Sequence, residues 1–377
     1  MIFRTTYRKP VLLVGNGVRA AGAAELVYAF AKKTHIPVLT TMNAVDLAQD
    51  DIRIGFIGTY GNRVANMILD ECDVVISVGA RLGLRQIGHI RENFAPKAHL
   101  IRVDIDPAEM SRVVKNDEED YLTDAASFMQ QLMAEDVPDY KKWHDLCFEA
   151  KRLLDGYDNV LGNDVIEKIS SLLPENAIVS VDVGQHQCWA AQSLQLKGEK
   201  GRILIGGGYG SMGCGLPYAI GSSISTDHGA VYCITGDGGL QMNIQELEAV
   251  VREHLPIKII VLNNHALGKI TEIQTGSYGK RYAQTTESSG YSVPDFEKIA
   301  NAYGIKATTL ASYEDLEGCR AWLADDEPCL ISITMPEDTL LIPKIKWETG
   351  KIAPALSEDL FTKVSTLLRD VQHTERR

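Results

Sequence analysis

Two residues with oxygen to offer, Asp237 and Asn264, stand at the ends of two apolar runs within one stretch of this 377-residue chain. The first run, Ala230 to Thr235, leads into Gly236-Asp237-Gly238-Gly239; the second, Ile257 to Leu262, closes on Asn263-Asn264. Between them an amphipathic segment, about Asn243 to Glu253, has the period of a helix, so the stretch reads as a strand, a helix and a second strand. Parallel strands joined by a right-handed crossover lie side by side and open their carboxyl ends on one edge of the sheet, which brings Asp237 and Asn264 together. An anionic oxygen, an amide oxygen and the N–H groups of Gly238 and Gly239 at a helix start suit a small octahedral cation carrying phosphate oxygens, magnesium diphosphate above all. The plainer alternative is an ordinary βαβ unit with a glycine turn and a polar stop.

Two further stretches bear on the same chemistry. Asp182-Val183-Gly184-Gln185-His186 follows a strand at Ala177–Val181, and a strand end followed by glycine and side-chain hydrogen-bonders can anchor a diphosphate. Six glycines fall between Gly206 and Gly215, where residues without Cβ let backbone approach a ligand closely. Together these resemble the thiamine diphosphate enzymes, whose Gly-Asp-Gly is followed some two dozen residues later by Asn-Asn; here 24 residues separate Gly238 from Asn263. The resemblance implies a metal held by Asp237, Asn264 and the backbone carbonyl of Ala266. It implies a cofactor held by Val183, Gly184, Gln185, His186, Gly210, Ser211, Met212, Asp237, Gly238, Gly239 and Asn264. Met212 matches the methionine that wedges between the two cofactor rings and keeps them bent, with Ser211 in place of the family's threonine.

The elements that position these residues belong to the second of two α/β halves. The first half alternates a strand at Val11–Val14, a Gly15-Asn16-Gly17 turn, a helix from Ala21 to Lys33, a Pro37–Thr40 strand and a glycine-rich loop, Gly55–Gly61. A helix at Arg63–Asp70, a strand at Asp73–Val78 ending in Gly79-Ala80-Arg81, and a strand at His99–Val103 ending in Asp104-Ile105-Asp106-Pro107 follow. That order predicts an open, doubly wound parallel sheet of the Rossmann type. It also resembles the middle domain of the acetolactate synthase branch, which carries flavin adenine dinucleotide. Arg81, Arg85 and Asp104 are the matching flavin positions, while Leu82-Gly83-Leu84 replaces the family's Phe-Asp-Asp and weakens that expectation. The glycines at 15, 17 and 22 lack the dinucleotide fingerprint spacing, which argues against a nicotinamide dehydrogenase.

The length suits two domains, and a charged stretch from about Asp117 to Asn163, expected to be helical, marks the crossing between them. The expected division is 1–155 for a middle domain and 156–377 for a diphosphate-binding domain. The tail from Leu341 to Leu356 resembles the arm that closes over the site in relatives, and the final residues are expected to fray. A net charge of −12, from 38 Lys and Arg against 50 Asp and Glu, with no basic stripe, excludes nucleic acid as a partner. No run of 18 apolar residues and no signal peptide is visible, so neither membrane nor export is expected. Seven scattered cysteines read as reduced core residues of a cytoplasmic protein.

The resemblance implies that a pyruvate-derived two-carbon unit is passed to a second carbonyl. After Asn264 the branch continues Leu-Gly-Met-Val with a tryptophan three residues later; Lys269 stands in place of the methionine and Ile273 in place of the tryptophan, so these two are the expected determinants of acceptor choice. A sugar carbonyl as acceptor, simple 2-keto acid decarboxylation and a non-catalytic thiamine diphosphate-binding remnant remain open. The family's pyrimidine-binding domain, with its glutamate, has no counterpart here, and Glu246 and Glu248 read as a solvated helix face. A separate pyrimidine-binding chain or a missing N-terminal domain, within a homo- or hetero-oligomer, is the implied partner.

Overall fold

Twelve strands pair into two parallel sheets in the computed structural model, which describes residues 3–4, 6–48 and 50–370. The chain divides into two units, one formed by the described residues up to Asp158 and from Ile342 onward, the other by Asn159–Leu341.

The first unit holds β1 (Pro10–Val14), β2 (Val38–Thr40), β3 (Arg53–Phe56), β4 (Val74–Val78), β5 (His99–Asp104) and β6 (Glu118–Leu122), in the order β3-β2-β1-β4-β5-β6. All neighbours are parallel. The central strands β1 and β4 are buried throughout and, Ser77 apart, apolar, as suits strands covered on both faces. Edge strand β6 reads Glu-Glu-Asp-Tyr-Leu and is half exposed. Its charge is why the sequence suggested helix there, and the same charge protects an open sheet edge from pairing with other chains.

The second unit holds β7 (Ile178–Val181), β8 (Arg202–Ile205), β9 (Val231–Gly236), β10 (Ile257–Asn263), β11 (Lys306–Leu310) and β12 (Cys329–Thr334), in the order β11-β12-β10-β9-β7-β8, again all parallel. Both sheets thus have the expected doubly wound α/β form. The four-residue edge strand β8 was not foreseen.

Two expectations need correction. The helix placed at Asn243–Glu253 begins earlier: Asp237–Met242 is already helical, Ile244–Glu246 is a 3₁₀ turn, and Leu247–Arg252 completes it. The signature is therefore the first turn of the helix, with Gly236 as its extended N-cap. The division at 156–377 also differs from the structure, because the chain from Ile342 packs with the first unit. Its helix Glu358–Arg369 places Val364 and Leu368 in that unit's core, and the Lys9 ammonium donates to the Leu368 carbonyl at 2.9 Å. Apolar residues at 360, 364, 367 and 368 give this helix one buried stripe, which needs a core to cover it. The tail expected to close over the site is thus part of the first unit, while the residues expected to fray, 371–377, lie outside the described residues. All seven cysteines are free, and six of them are buried.

Candidate active site

In the second unit the carboxyl ends of β7, β9 and β10 are neighbours, and Gly236 is in register with Leu262. The residues that follow these strands, Asp182, Asp237 and Asn264, therefore emerge on one sheet edge, where α/β proteins place their ligands.

Asp237 is only 2% exposed, and its Oδ1 accepts from the Gly238 N–H and from the Tyr291 hydroxyl, the latter at 3.0 Å. Its Oδ2 is buried and accepts no hydrogen bond. Burial raises the carboxyl above its ordinary range, opposed by the Gly238 N–H, the Tyr291 hydroxyl and the His265 backbone N–H. A buried carboxylate oxygen without a donor is costly unless something positive meets it. Asn264 is oriented from both ends: its Nδ2 donates to the Thr339 hydroxyl at 3.2 Å, and its Oδ1 accepts from the Ala266 N–H at 3.3 Å.

The segment after β7 lines the same cavity as Asp237 and Asn264. Gln185 exchanges two hydrogen bonds with Thr339, donating to its carbonyl at 3.1 Å and accepting from its hydroxyl at 2.7 Å. His186 is 5% exposed, and its Nε2 is buried without a partner. Burial lowers the imidazole below its ordinary range against the opposing pull of Asp182, which favours a neutral ring. Trp189 donates to the Leu340 carbonyl at 3.1 Å.

Asp182 holds the glycine-rich loop. Its 1% exposed carboxylate accepts from the Val183 N–H at 2.7 Å, the Gly213 N–H at 2.9 Å and the Thr235 hydroxyl at 3.0 Å. Asn243 donates to the Gly213 carbonyl at 2.7 Å from the other side. Gly213 has φ +88, a left-handed conformation that favours glycine. Its fixed position sets the preceding Met212, whose Cε would lie 3.2 Å from a Cβ added at Gly238. That Cβ would also come within 2.7 Å of Leu267 Cδ2, and one at Gly239 would strike the Asp182 carboxylate, so both glycines are required by close packing.

One cavity is lined by Val183, Gly184, Gln185, His186, Gly210, Met212, Asp237, Gly238, Gly239, Asn264, Ala266 and Lys269. Ser211 is exposed and outside the lining, as is Ile273, which is 50% exposed. The structure thus gathers the expected residues except these two, and Ile270 takes a place in the wall that Ile273 does not. Lys269 lies 3.7 Å from Glu272. Sequence reasoning missed Tyr291 and Thr339, which no motif marks, and passed over Asp182, whose position at a strand end before Val-Gly was the available signal.

In the first unit, Arg81 has a largely exposed side chain and is ion-paired with Glu109. Arg85 is exposed, with its carbonyl accepting from the Thr59 N–H at 2.8 Å. Asp104 accepts from the Asp106 N–H at 3.1 Å. Gly15 and Gly17 serve close packing: the Gly17 N–H donates to the Gly79 carbonyl at 2.9 Å, and a Cβ on Gly15 would collide with that carbonyl.

Among the described residues no group of three or more His, Cys, Asp or Glu is gathered to hold a metal. A cation in the cavity would therefore draw on mixed oxygens: one carboxylate, one amide and backbone.

Comparison with known proteins agrees with this geometry. Residues 5–132 match the central domain of thiamine pyrophosphate enzymes, and residues 182–333 match their C-terminal TPP-binding domain. A probable acetolactate synthase large subunit of Methanocaldococcus jannaschii is 35% identical over 376 residues, covering 94% of this chain and 62% of the relative. The acetolactate synthase isozyme 2 large subunit of Escherichia coli K12 is 32% identical, covering 88% of this chain and 60% of its own. The acetolactate synthase large subunit of Lactococcus lactis is 30% identical, covering 90% and 59%. The chain spans about three fifths of the length of these relatives. With the central and the C-terminal TPP-binding domains both present, and the site residues of the latter gathered on one sheet edge, the chain belongs to the thiamine pyrophosphate enzymes.

Proposed function

We propose that this chain binds thiamine diphosphate with magnesium in the cavity at the ends of β7, β9 and β10, and serves an acetolactate synthase-like reaction in which pyruvate is decarboxylated and its two-carbon unit is joined to a second carbonyl. The observation that carries this reading is the pair of buried orphan atoms, Asp237 Oδ2 and His186 Nε2, on residues lining the same cavity. Asp237, Asn264 and the Ala266 carbonyl would hold the cation, which suits magnesium because all three offer hard oxygen. Gly184, Gln185, His186 and the Gly238 and Gly239 N–H groups would hold the diphosphate, with Met212 supporting the bent cofactor. When bound, the cofactor supplies the carbon nucleophile and the sink for the charge left as carbon dioxide departs.

Among the described residues, Asp237 is the only carboxylate lining the cavity. The glutamate that acts on the aminopyrimidine would come from a pyrimidine-binding segment, carried elsewhere in the same protein or by a second chain, within an oligomer. Lys269 in the cavity wall favours an anionic acceptor, a second keto acid or a phosphorylated carbonyl compound, through charge-assisted hydrogen bonds. Arg81, the expected flavin contact, is exposed and already paired with Glu109, so nothing among the described residues of the first unit supports a flavin. Seven free cysteines suit the cytoplasm. Among the described residues no helix is long and apolar enough to cross a membrane.

Two experiments test the reading. Asp237→Ala should abolish magnesium-dependent binding of thiamine diphosphate in titration calorimetry, and unchanged affinity would overturn the cation assignment. A separately expressed pyrimidine-binding chain should raise pyruvate turnover from background, whereas robust turnover by residues 1–377 alone would refute the shared site.

A further inference from the structure

Asp237 meets the cavity asymmetrically. Its Oδ1 takes two donors, the N–H of Gly238 from its own helix turn and the hydroxyl of Tyr291 from a loop 54 residues later, while Oδ2 takes none. The Tyr291 ring is not placed there by local sequence. Its N–H donates to the Thr286 carbonyl at 3.0 Å, Ala266 and Thr286 form a β-bridge, and the Leu267 N–H donates to the Thr285 carbonyl at 2.9 Å. His265 and Glu287 add a contact at 3.0 Å. The 285–291 loop is therefore clasped to the turn that carries Asn264 and Ala266, and Tyr291 extends that clasp to the third oxygen of the same set. Gly238 leaves the hydroxyl its space, since a Cβ there would lie 3.0 Å from the Tyr291 oxygen.

The number of carboxylate oxygens a site offers decides which cation it prefers. Magnesium keeps an octahedral shell at about 2.0–2.1 Å and takes one oxygen from a carboxylate, whereas calcium accepts 6–8 ligands and readily takes both. An oxygen that already accepts two hydrogen bonds is a poor second ligand. Resting on the cation reading above, we propose that Tyr291 is a positioning residue for the metal: by occupying Oδ1 of Asp237 it leaves Oδ2 as the single ligand and biases the site toward a small octahedral cation over a larger one that binds both oxygens. Outer partners that orient a metal ligand typically change affinity about 10–100-fold when removed.

The test is Tyr291→Phe, which keeps the ring and removes only the hydroxyl. Thiamine diphosphate is titrated calorimetrically into the full chain with magnesium or with calcium, and the affinity of each cation is obtained from its concentration dependence. Circular dichroism and a thermal melt check that the variant is folded. The expected result is a loss of magnesium affinity of about tenfold with a smaller loss, or a gain, for calcium, so that the preference for magnesium falls. Manganese bound to the variant should show an altered paramagnetic resonance spectrum as Asp237 changes from one oxygen to two. Equal losses for both cations would assign Tyr291 a merely structural role and overturn the inference, as would an unchanged ratio. Asp237→Ala run alongside separates the two levels: if that variant loses no cation-dependent binding, the metal reading falls and the inference with it, whereas if it does while Tyr291→Phe keeps the wild-type ratio, only the inference falls.

Discussion

Asp182 offers a sharp test of how the cavity is held open, because it touches no expected metal ligand and yet fixes the loop that carries Met212. In Asp182→Ala the Val183 and Gly213 N–H groups lose their acceptor in a site with 1% exposure. The Thr235 hydroxyl is spared, since it retains the Gly236 carbonyl at 3.2 Å. An orphaned buried N–H costs about 1–3 kcal/mol, so the pair costs at most roughly 2–6 kcal/mol, the Val183 N–H being only part-buried. A water entering the vacated space would recover part of that, so about 2–4 kcal/mol is expected. Asp182→Asn keeps one acceptor oxygen for the backbone, and its amide can donate to Thr235, so the expected cost is about 1 kcal/mol. Urea denaturation followed by far-ultraviolet circular dichroism measures the difference, and amide exchange at Gly213 reports the loop directly. Thiamine diphosphate binding should weaken in the order wild type, Asn, Ala as Met212 loses its fixed position. If Asp182→Ala lies within about 0.5 kcal/mol of wild type and Gly213 stays protected from exchange, the loop is held by something other than this carboxylate.

Two further outcomes follow from particular contacts. Burial alone would raise the Glu71 carboxyl, but Lys97 and Arg369, both hydrogen-bonded to it, hold it below its ordinary value of 4.5. A depressed pKa contributes stability above the unfolded value that is lost as pH falls through the folded one, so exchange protection at Val364 and Leu368 should decline as pH falls below the ordinary carboxylate range. Glu71→Gln should flatten that dependence, and an unchanged profile would remove Glu71 from the attachment of the C-terminal helix. At the cavity, Lys269→Met should lower the preference for an anionic over a neutral acceptor by roughly tenfold, the worth of one charge-assisted hydrogen bond, as read from product ratios with pyruvate as donor. Ile273→Trp should change it less, because Ile273 is half exposed and lies outside the cavity wall; a larger effect from Ile273 than from Lys269 would reverse that assignment.

What the sequence determined by itself is the set of elements whose signal is local. Buried runs such as Val74–Val78 and Ile257–Asn263 are mostly apolar, as strands covered on both faces tend to be, and parallel crossovers then bring Asp237 and Asn264 onto one edge. The glycines at 238 and 239 were equally legible, although the reason for them is tertiary: Leu267 and the Asp182 carboxylate occupy the space a side chain would need. Strands β3, β6 and β8 escaped notice because a charged or four-residue edge strand carries little periodicity of its own. Tyr291, Thr339 and Asp182 were decided only in three dimensions. Apart from the Val183 N–H beside Asp182, their partners lie 54, 75 to 154 and 31 to 53 residues away, distances over which spacing along the chain carries no geometric information. The C-terminal helix shows the same limit: its apolar stripe announces that it must be buried, but the core of the first unit, brought near by the folded chain, decides where.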